Sequence, residues 1–305
     1  MKVRIRRSTL ILPVNIPRFV EKAYLRGADA VMLDLEDAVP PGEKESARKL
    51  IKDCIPLTAR GGAEVFVRIN NDPRLLPEDV EASIHPGLDG IVLPKGESAE
   101  EVRQLAARVK MLEEARGMEM GTIEISVLIE SPLGLLKAME IASASHRVES
   151  MSVGSEDYCL QLGVEPSSDG IEIFYAVSRM VTVCKSAGIR PMGLLGSVGG
   201  FRDLEGFQRA AFRARQLGCE GASCIHPDQV EVLNRVFSPE PAKVEYARRA
   251  VEAFEEGLKR GTASVNLDGK MVDIPVYNRA RLILERAEAI AEVERRKAGA
   301  LARFR

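Results

Sequence analysis

The chain has 305 residues, with 43 Lys and Arg against 45 Asp and Glu for a net charge of −2, and 45% of its residues are hydrophobic. That balance lacks the basic excess of a nucleic-acid binder, and no apolar run approaches the roughly 20 residues that cross a bilayer. The opening MKVRIRRSTLIL meets Pro13 too early for a signal h-region, so a cytoplasmic α/β protein with no membrane or nucleic-acid partner is expected.

In chain order, short apolar runs bounded by turn residues fall at STLIL (8–12), AVMLDL (30–35), VFVRI (65–69), GIVLP (90–94), ISVLIE (125–130), SMSVG (150–154), PMGLL (191–195) and GASCI (221–225). They read as strands buried on both faces. Between them lie helical stretches such as ESARKLIKDCI, SAEEVRQLAARVKMLEEAR, GLLKAMEIASAS, EIFYAVSRMVTVCKSAG and LEGFQRAAFRARQLG, each long enough to return the chain to a parallel strand. This rhythm predicts an α/β fold of the (β/α)8 TIM-barrel type over residues 1–238. An open doubly wound sheet is the weaker alternative, because no G-x-G-x-x-G follows the first strand and no G-x-x-x-x-G-K-[ST] is present.

After Phe237-Ser238-Pro239 the pattern changes to a helix, AKVEYARRAVEAFEEGLKRG, then a hairpin with Asp268-Gly269 at its turn, then a charged helix whose end reads as solvated or frayed. Residues 239–305 are thus expected as a helix–hairpin–helix extension. The five cysteines, Cys54, Cys159, Cys184, Cys219 and Cys224, are scattered and odd in number, which suits small core residues rather than disulfides or a zinc site.

In a barrel, chemistry belongs at the carboxyl ends of the strands. Those ends carry Asn15, the Asp34-Leu35-Glu36-Asp37 run, Arg68 and Asn70, Lys95, Glu130-Ser131-Pro132, Glu156-Asp157 and His226. Charges so close together need pairing or a metal. Glu130 and Asp157, on neighbouring strands, offer oxygen donors to a hard cation that keeps several waters, the habit of Mg²⁺, with Mn²⁺ as the alternative ion. Zinc is disfavoured, because His85, His146 and His226 are not grouped and the first two read as surface residues. Arg68 suits a substrate carboxylate or a developing oxyanion, or else a buried partner for Asp34 or Asp37. Lys95, among carboxylates, is expected to stay protonated and act electrostatically rather than as a Schiff base.

These motifs resemble the citrate lyase beta-subunit-like proteins, with malyl-CoA and citramalyl-CoA lyases, of the aldolase/citrate lyase superfamily. The resemblance runs through RSTLILPVN (7–15), ADAVMLDLEDAVPPGEKESAR (28–48), VRIN (67–70), LPKGES (93–98), IESPLGL (129–135), GSEDY (154–158), GFRDLEGF (200–207), GASCIHPDQV (221–230), FSPEP (237–241) and GKMVDIPV (269–276). It implies Glu130 and Asp157 as Mg²⁺ ligands, and Glu36 and Asp37 behind them holding metal-bound waters and Arg68. Arg68, Lys95, Asn15 and Pro132 become the expected substrate contacts. The tail's K-x-x-D-x-P segment makes Asp273 a candidate acid/base, carried by a lid over the mouth of a neighbouring subunit in a trimer or hexamer. The implied reaction is cleavage or formation of a 3-hydroxy-3-carboxyacyl-CoA, such as malyl-CoA or citramalyl-CoA, giving an acyl-CoA and a 2-oxo acid, glyoxylate or pyruvate.

Two positions depart from the pattern. Gly196-Ser197-Val198-Gly199-Gly200 lacks the acidic residue many relatives carry after strand seven, and Val14 replaces a Gly or Ala, where a β-branched side chain is expected to restrict approach of CoA or narrow the mouth. The altered loop keeps a second reading open, a metal-dependent aldolase on free 2-oxo acids. A third is a subunit acting on an acyl group held by a carrier protein.

Overall fold

Each of the eight apolar runs forms a strand in the computed structural model, which describes residues 4–304. The strands are β1 (Ser8–Pro13), β2 (Ala30–Asp34), β3 (Glu64–Arg68), β4 (Gly90–Leu93), β5 (Glu124–Ile129), β6 (Val148–Val153), β7 (Arg190–Met192) and β8 (Ala222–Cys224). All ladders are parallel, in the order β7-β6-β5-β4-β3-β2-β1-β8. Between β7 and β8 the backbone bonds Gly193 N to Gly221 O at 2.8 Å and Glu220 N to Pro191 O at 2.9 Å join the two ends of the sheet, completing the expected barrel.

Strand side chains alternate between two faces, and two apolar clusters follow. Val31, Leu33, Val65, Val67, Ile91 and Leu93 point outward into the main core beneath the helices, whereas Ala30, Met32, Phe66 and Val92 point into the barrel, packed by Ile11 and Leu128. Gly90 makes room for the interior ring: a Cβ there would fall 2.3 Å from Phe66 Cε1. The amino-terminal end of the barrel is plugged by ion pairs, Arg6 to Glu64 at 2.7 Å, Arg6 to Glu124 at 3.0 Å and Arg190 to Glu124 at 2.9 Å.

The helices bury one face each. Lys44–Ala59 presents Ala47, Ile51, Cys54, Ile55 and Thr58, the spacing of an amphipathic helix. Ala99–Ala115 begins with a capping box between Ser98 and Glu101, a feature that contributes about 1 kcal/mol. The stretch expected as one helix over GLLKAMEIASAS is two, Pro132–Leu136 and Ala138–Ala142, broken at Lys137 (φ −95°, ψ 7°). The break lets Leu135 on one side and Ala138 and Ile141 on the other all reach the core. All five cysteines are free and buried.

Contacts divide the chain into two compact units, one of residues 6–237 with the end of the last helix from Ala300, and the other of residues 238–299 with residues 4 and 5. The second contains the helix Pro241–Lys259, an antiparallel hairpin of β9 (Val265–Leu267) and β10 (Lys270–Val272), and the helix Ile274–Ala302. Its turn places Asp268 at φ 51° and Gly269 at φ 76°, the left-handed pair a two-residue hairpin demands. A small core of Ala247, Ala250, Phe254, Val272 and Ala280 holds it, with Phe254 stacked on Tyr277 at 4.7 Å. The last helix is solvated over much of its length, as expected, and runs to Ala302, with Val293 and Lys297 buried. Among the described residues no helix is long and apolar enough to cross a membrane.

Candidate active site

Parity along the strands explains which side chains meet at the carboxyl end of the barrel. Asp34 shares the inward face of Met32, and Arg68 that of Phe66; the β2–β3 register sets Asp34 directly opposite Arg68. Arg68 Nε donates to Asp34 Oδ1 at 2.7 Å and Nη2 to Oδ2 at 2.6 Å, while Nη1 lies 3.2 Å from Glu36 Oε2 and 3.9 Å from Asp37 Oδ2. The buried-partner reading of Arg68 therefore accounts for Nε and Nη2 and leaves Nη1 on the side of Glu36. Burial alone would lower the guanidinium, but the hydrogen bonds and charge of Asp34, with Glu36 and Asp37 behind, raise it. Asp34 accepts further from the Glu36 and Ala38 amides, at 3.0 and 2.9 Å, which folds the chain after β2 back over the mouth.

Glu36 is buried, and its Oε1 is paired with the Lys95 ammonium. Its Oε2 has no hydrogen-bond partner, since Arg68 Nη1 is close but out of line. Burial raises Glu36 above the usual carboxylate range, against the opposing charges of Arg68 and Lys95. Burial also disfavours the Lys95 cation, but its hydrogen bond to Glu36 and the charges of Glu36, Asp37 and Asp157 outweigh this and raise it, in keeping with a protonated side chain. Lys95 takes a left-handed backbone conformation, φ 51°, and its amide donates to Glu130 Oε2 at 2.8 Å.

Glu130, just past β5, is 6% exposed, and burial pushes it up to about 7, with the charges of Glu36 and Asp157 adding to the rise and the Lys95 amide opposing it. Asp157 stands in the first turn of the helix Ser155–Leu162, half-buried, on the wall of a cavity of about 390 Å³ that Asp34, Asp37 and Arg68 also line. Gly154 separates the two: a Cβ there would fall 2.3 Å from Glu130 Oε1, so only glycine leaves that carboxylate its place.

The oxygen-only donors and the unpartnered Glu36 Oε2 fit a small hard cation that keeps most of its own waters. Among the described residues no three His, Cys, Asp or Glu side chains form a closed cage, which a cation sharing its shell with water and substrate does not require.

Other expected site residues lie elsewhere. Asn15 Nδ2 donates to Glu43 Oε2 at 2.5 Å, and Pro132 starts the helix Pro132–Leu136; neither lines the cavity. Val14 is 1% exposed and packs with Leu10 and Leu12 into the outer core. Its parity turns it away from the barrel interior, so its side chain does not narrow the mouth. Asp273 belongs to the second unit, where its Oδ1 accepts from Val276 N at 3.1 Å at the start of the last helix. His226 Nδ1 accepts from Asp228 N at 3.3 Å at the head of the helix Pro227–Val236, and its ring stacks on Phe201.

Two supporting residues were not anticipated. Lys44 Nζ donates to the carbonyls of Leu35 and Glu36, at 2.9 and 2.6 Å, fixing the loop after β2. A lysine opening a helix runs against the helix dipole, and that was its signal. Gln229 accepts from the Ile225 and His226 amides, at 3.0 and 3.1 Å, and donates to Val198 O at 3.4 Å, joining the loops after β7 and β8. Its signal was the His-Pro-Asp-Gln spacing of a capping box.

Residues 7–227 match the model of the HpcH/HpaI aldolase/citrate lyase family. The chain is 38% identical over 288 residues to citrate lyase subunit beta of Escherichia coli (strain K12), covering 94% of this chain and 95% of that one. It is 33% identical to L-malyl-CoA/beta-methylmalyl-CoA lyase of Rhodobacter capsulatus, covering 93% of this chain and 95% of that one. Among solved structures it is similar to the protein CitE from Mycobacterium tuberculosis in complex with magnesium, acetoacetate and coenzyme A, with a TM-score of 0.74 and 28% identity over 94% of this chain and 100% of that one. With the barrel and its ring of strand-end charges in place, this chain belongs to the HpcH/HpaI aldolase/citrate lyase family.

Proposed function

We propose that this protein is a Mg²⁺-dependent carbon–carbon lyase that cleaves or forms a 3-hydroxy-3-carboxyacyl-CoA, such as malyl-CoA or citramalyl-CoA, to yield an acyl-CoA and a 2-oxo acid. The observation that carries the reading is that Asp157 and Arg68 line one cavity at the end of the barrel, with the buried Glu130 close enough to Asp157 to feel its charge and packed against Gly154. The family's lyases, and the relative crystallised with magnesium and coenzyme A, support it.

Glu130 and Asp157 would hold the ion, which supplies positive charge to the substrate oxygen that becomes, or ceases to be, a carbonyl. Arg68, its fork fixed by Asp34, offers Nη1 to the substrate carboxylate as a preorganised charge. Lys95 holds Glu36 and, through its amide, Glu130. In the cleavage direction the substrate hydroxyl passes its proton to water at the mouth of the site, the bond between the hydroxyl-bearing carbon and the acyl α-carbon breaks, and the electron pair passes to the thioester as an enolate. Asp273 returns a proton to that α-carbon, from a lid formed by residues 239–305 of a neighbouring copy in a homo-oligomer.

Asp273→Asn is the test of that assignment. Turnover is expected to fall by a factor of about 10² to 10⁴, the share of a general acid/base, with unchanged folding; unaltered turnover removes Asp273 from the reaction. The 38% identity to citrate lyase subunit beta favours one further reading, in which the same chemistry acts on an acyl group held by a carrier protein. Inactivity with CoA thioesters, alongside activity with the same acyl groups on a carrier, selects it.

A further inference from the structure

Behind the cavity, and lining no part of it, Asn70 and Asp79 belong to a buried chain of hydrogen bonds. Asp79 stands in the first turn of the helix Leu76–Ser83 and is 1% exposed; Asn70, two residues past Arg68, is 6% exposed. Asp79 Oδ2 accepts from Asn70 N at 2.9 Å and from Asn70 Nδ2 at 2.7 Å, and its Oδ1 accepts from Arg48 Nε at 2.8 Å. The carboxylate thus serves neighbouring segments rather than the amides of its own helix. Asn70 Nδ2 also donates to Leu35 O at 2.9 Å, and Leu35 N donates to Arg68 O at 2.9 Å.

We infer that Asp79 is a positioning residue for Arg68. By holding Asn70 it ties the chain just past Arg68 to the chain just past Asp34, and so keeps Arg68 Nη1 aimed at the substrate. The inference rests on the lyase reading above, in which Nη1 meets a carboxylate.

Asp34 and Arg68 are the last residues of β2 and β3 and face one another in the register. Beyond them the ladder ends, and the two segments are joined through Leu35, its nitrogen on the Arg68 carbonyl and its oxygen on the Asn70 side chain. Lys44 Nζ reaches that oxygen from the other side, at 2.9 Å. Glu36 follows directly, with its Oε2 3.2 Å from Arg68 Nη1. Without Asp79, Asn70 loses the acceptor of both its backbone and its side-chain N–H, and the Leu35 carbonyl loses a fixed donor. Arg68 and Glu36 then move over a wider range, and a shift of about 1 Å in a group that orients substrate lowers the rate by up to about 10²-fold. Arg48 fixes Asp79 in turn, with its Nη1 on Glu78. A buried ion pair that only stabilised the outer helices would, when broken, lower stability and leave the mouth as it is.

Hydrogen exchange read by mass spectrometry and steady-state kinetics test the assignment together. The variants are Asn70→Ala, Asp79→Ala and the double change Arg48→Gln/Asp79→Asn. Glu113→Gln is the control, because Glu113 forms an equally buried pair with Arg147 and accepts from Ile123 N, before the start of β5. Asn70→Ala and Asp79→Ala are expected to speed exchange at residues 35–39 by about ten-fold. They are also expected to raise KM for glyoxylate or pyruvate by about 10- to 100-fold, with KM for acetyl-CoA within about two-fold of wild type. In the double variant an amide oxygen at position 79 still accepts from Asn70, while glutamine at 48 meets the amide nitrogen, so both measures are expected to return most of the way. Glu113→Gln is expected to lower stability and leave both unchanged. Wild-type exchange and KM in Asn70→Ala overturn the inference. So does an equal change in Glu113→Gln, which would make lost stability the cause. Should Asp79→Ala not fold, Asn70→Ala decides, since it keeps the pair of Arg48 with Asp79. If the wild type turns over neither acid, the lyase reading fails, and exchange at residues 35–39 alone decides whether Asp79 holds the loop.

Discussion

Asp34 and Arg68, opposite one another in the β2–β3 register, share two hydrogen bonds of 2.7 and 2.6 Å, with Asp34 fully buried. Asp34→Ala leaves a buried guanidinium with both Nε and Nη2 unpaired, so a loss of about 3–5 kcal/mol is expected in urea denaturation. Arg68→Lys keeps the charge but loses the planar fork; kcat/KM should fall about 10²-fold or more with a smaller loss of stability. Similar stability losses in both variants, with activity retained in Arg68→Lys, would reduce Arg68 to a structural partner.

Glu130 gives the metal-free protein a pH dependence of known sign. Its ordinary value of 4.5 is lifted to about 7 by burial, so between these values the folded chain keeps a proton that the unfolded chain has lost. Stability contributed by this group is present at low pH, falls as pH rises through that window and levels off above about 7. Urea denaturation in chelator across this range is expected to show the decline in the wild type and a flatter profile in Glu130→Gln. Identical profiles contradict the burial account.

Gly154→Ala tests the close packing of the Glu130 carboxylate on the glycine. The new Cβ would fall 2.3 Å from Glu130 Oε1, so Glu130 must shift. The change is expected to weaken Mg²⁺ binding by about 10-fold or more, while circular dichroism shows the barrel intact. Unchanged affinity places the ion away from Glu130.

The barrel was legible because its strands are short, uniformly apolar and evenly spaced, and parity then carried Asp34 and Arg68 to one mouth. What was not legible depended on which way a side chain faces after its strand ends. Val14 looked like an obstruction at the mouth, yet it continues the outward parity of Leu10 and Leu12. Asn15 and Pro132 hold the right places in sequence but lie beyond their strands, where one turn of loop or helix carries them off the cavity wall. Lys44 and Gln229 act through backbone carbonyls and amides, contacts that residue type alone does not announce. The break at Lys137 gives no signal in the sequence, since its neighbours are all good helix formers.

The barrel interior offers a further check, remote from the chemistry. Gly90→Ala would set a Cβ 2.3 Å from the Phe66 ring, and overpacking of this kind costs about 1–3 kcal/mol. Pairing it with Phe66→Leu should restore part of the loss in thermal denaturation; additive losses would mean that the ring is not what Gly90 accommodates.

The central claim is that Glu130 and Asp157 hold an ion on which carbon–carbon cleavage depends. It is tested most directly by the release of 2-oxo acid from malyl-CoA or citramalyl-CoA by chelator-treated protein, before and after Mg²⁺ is returned, in the wild type and in Glu130→Gln. The account predicts no release without the ion, recovery in the wild type and no recovery in the variant. Release that persists in chelator, or equal recovery in the variant, would contradict it.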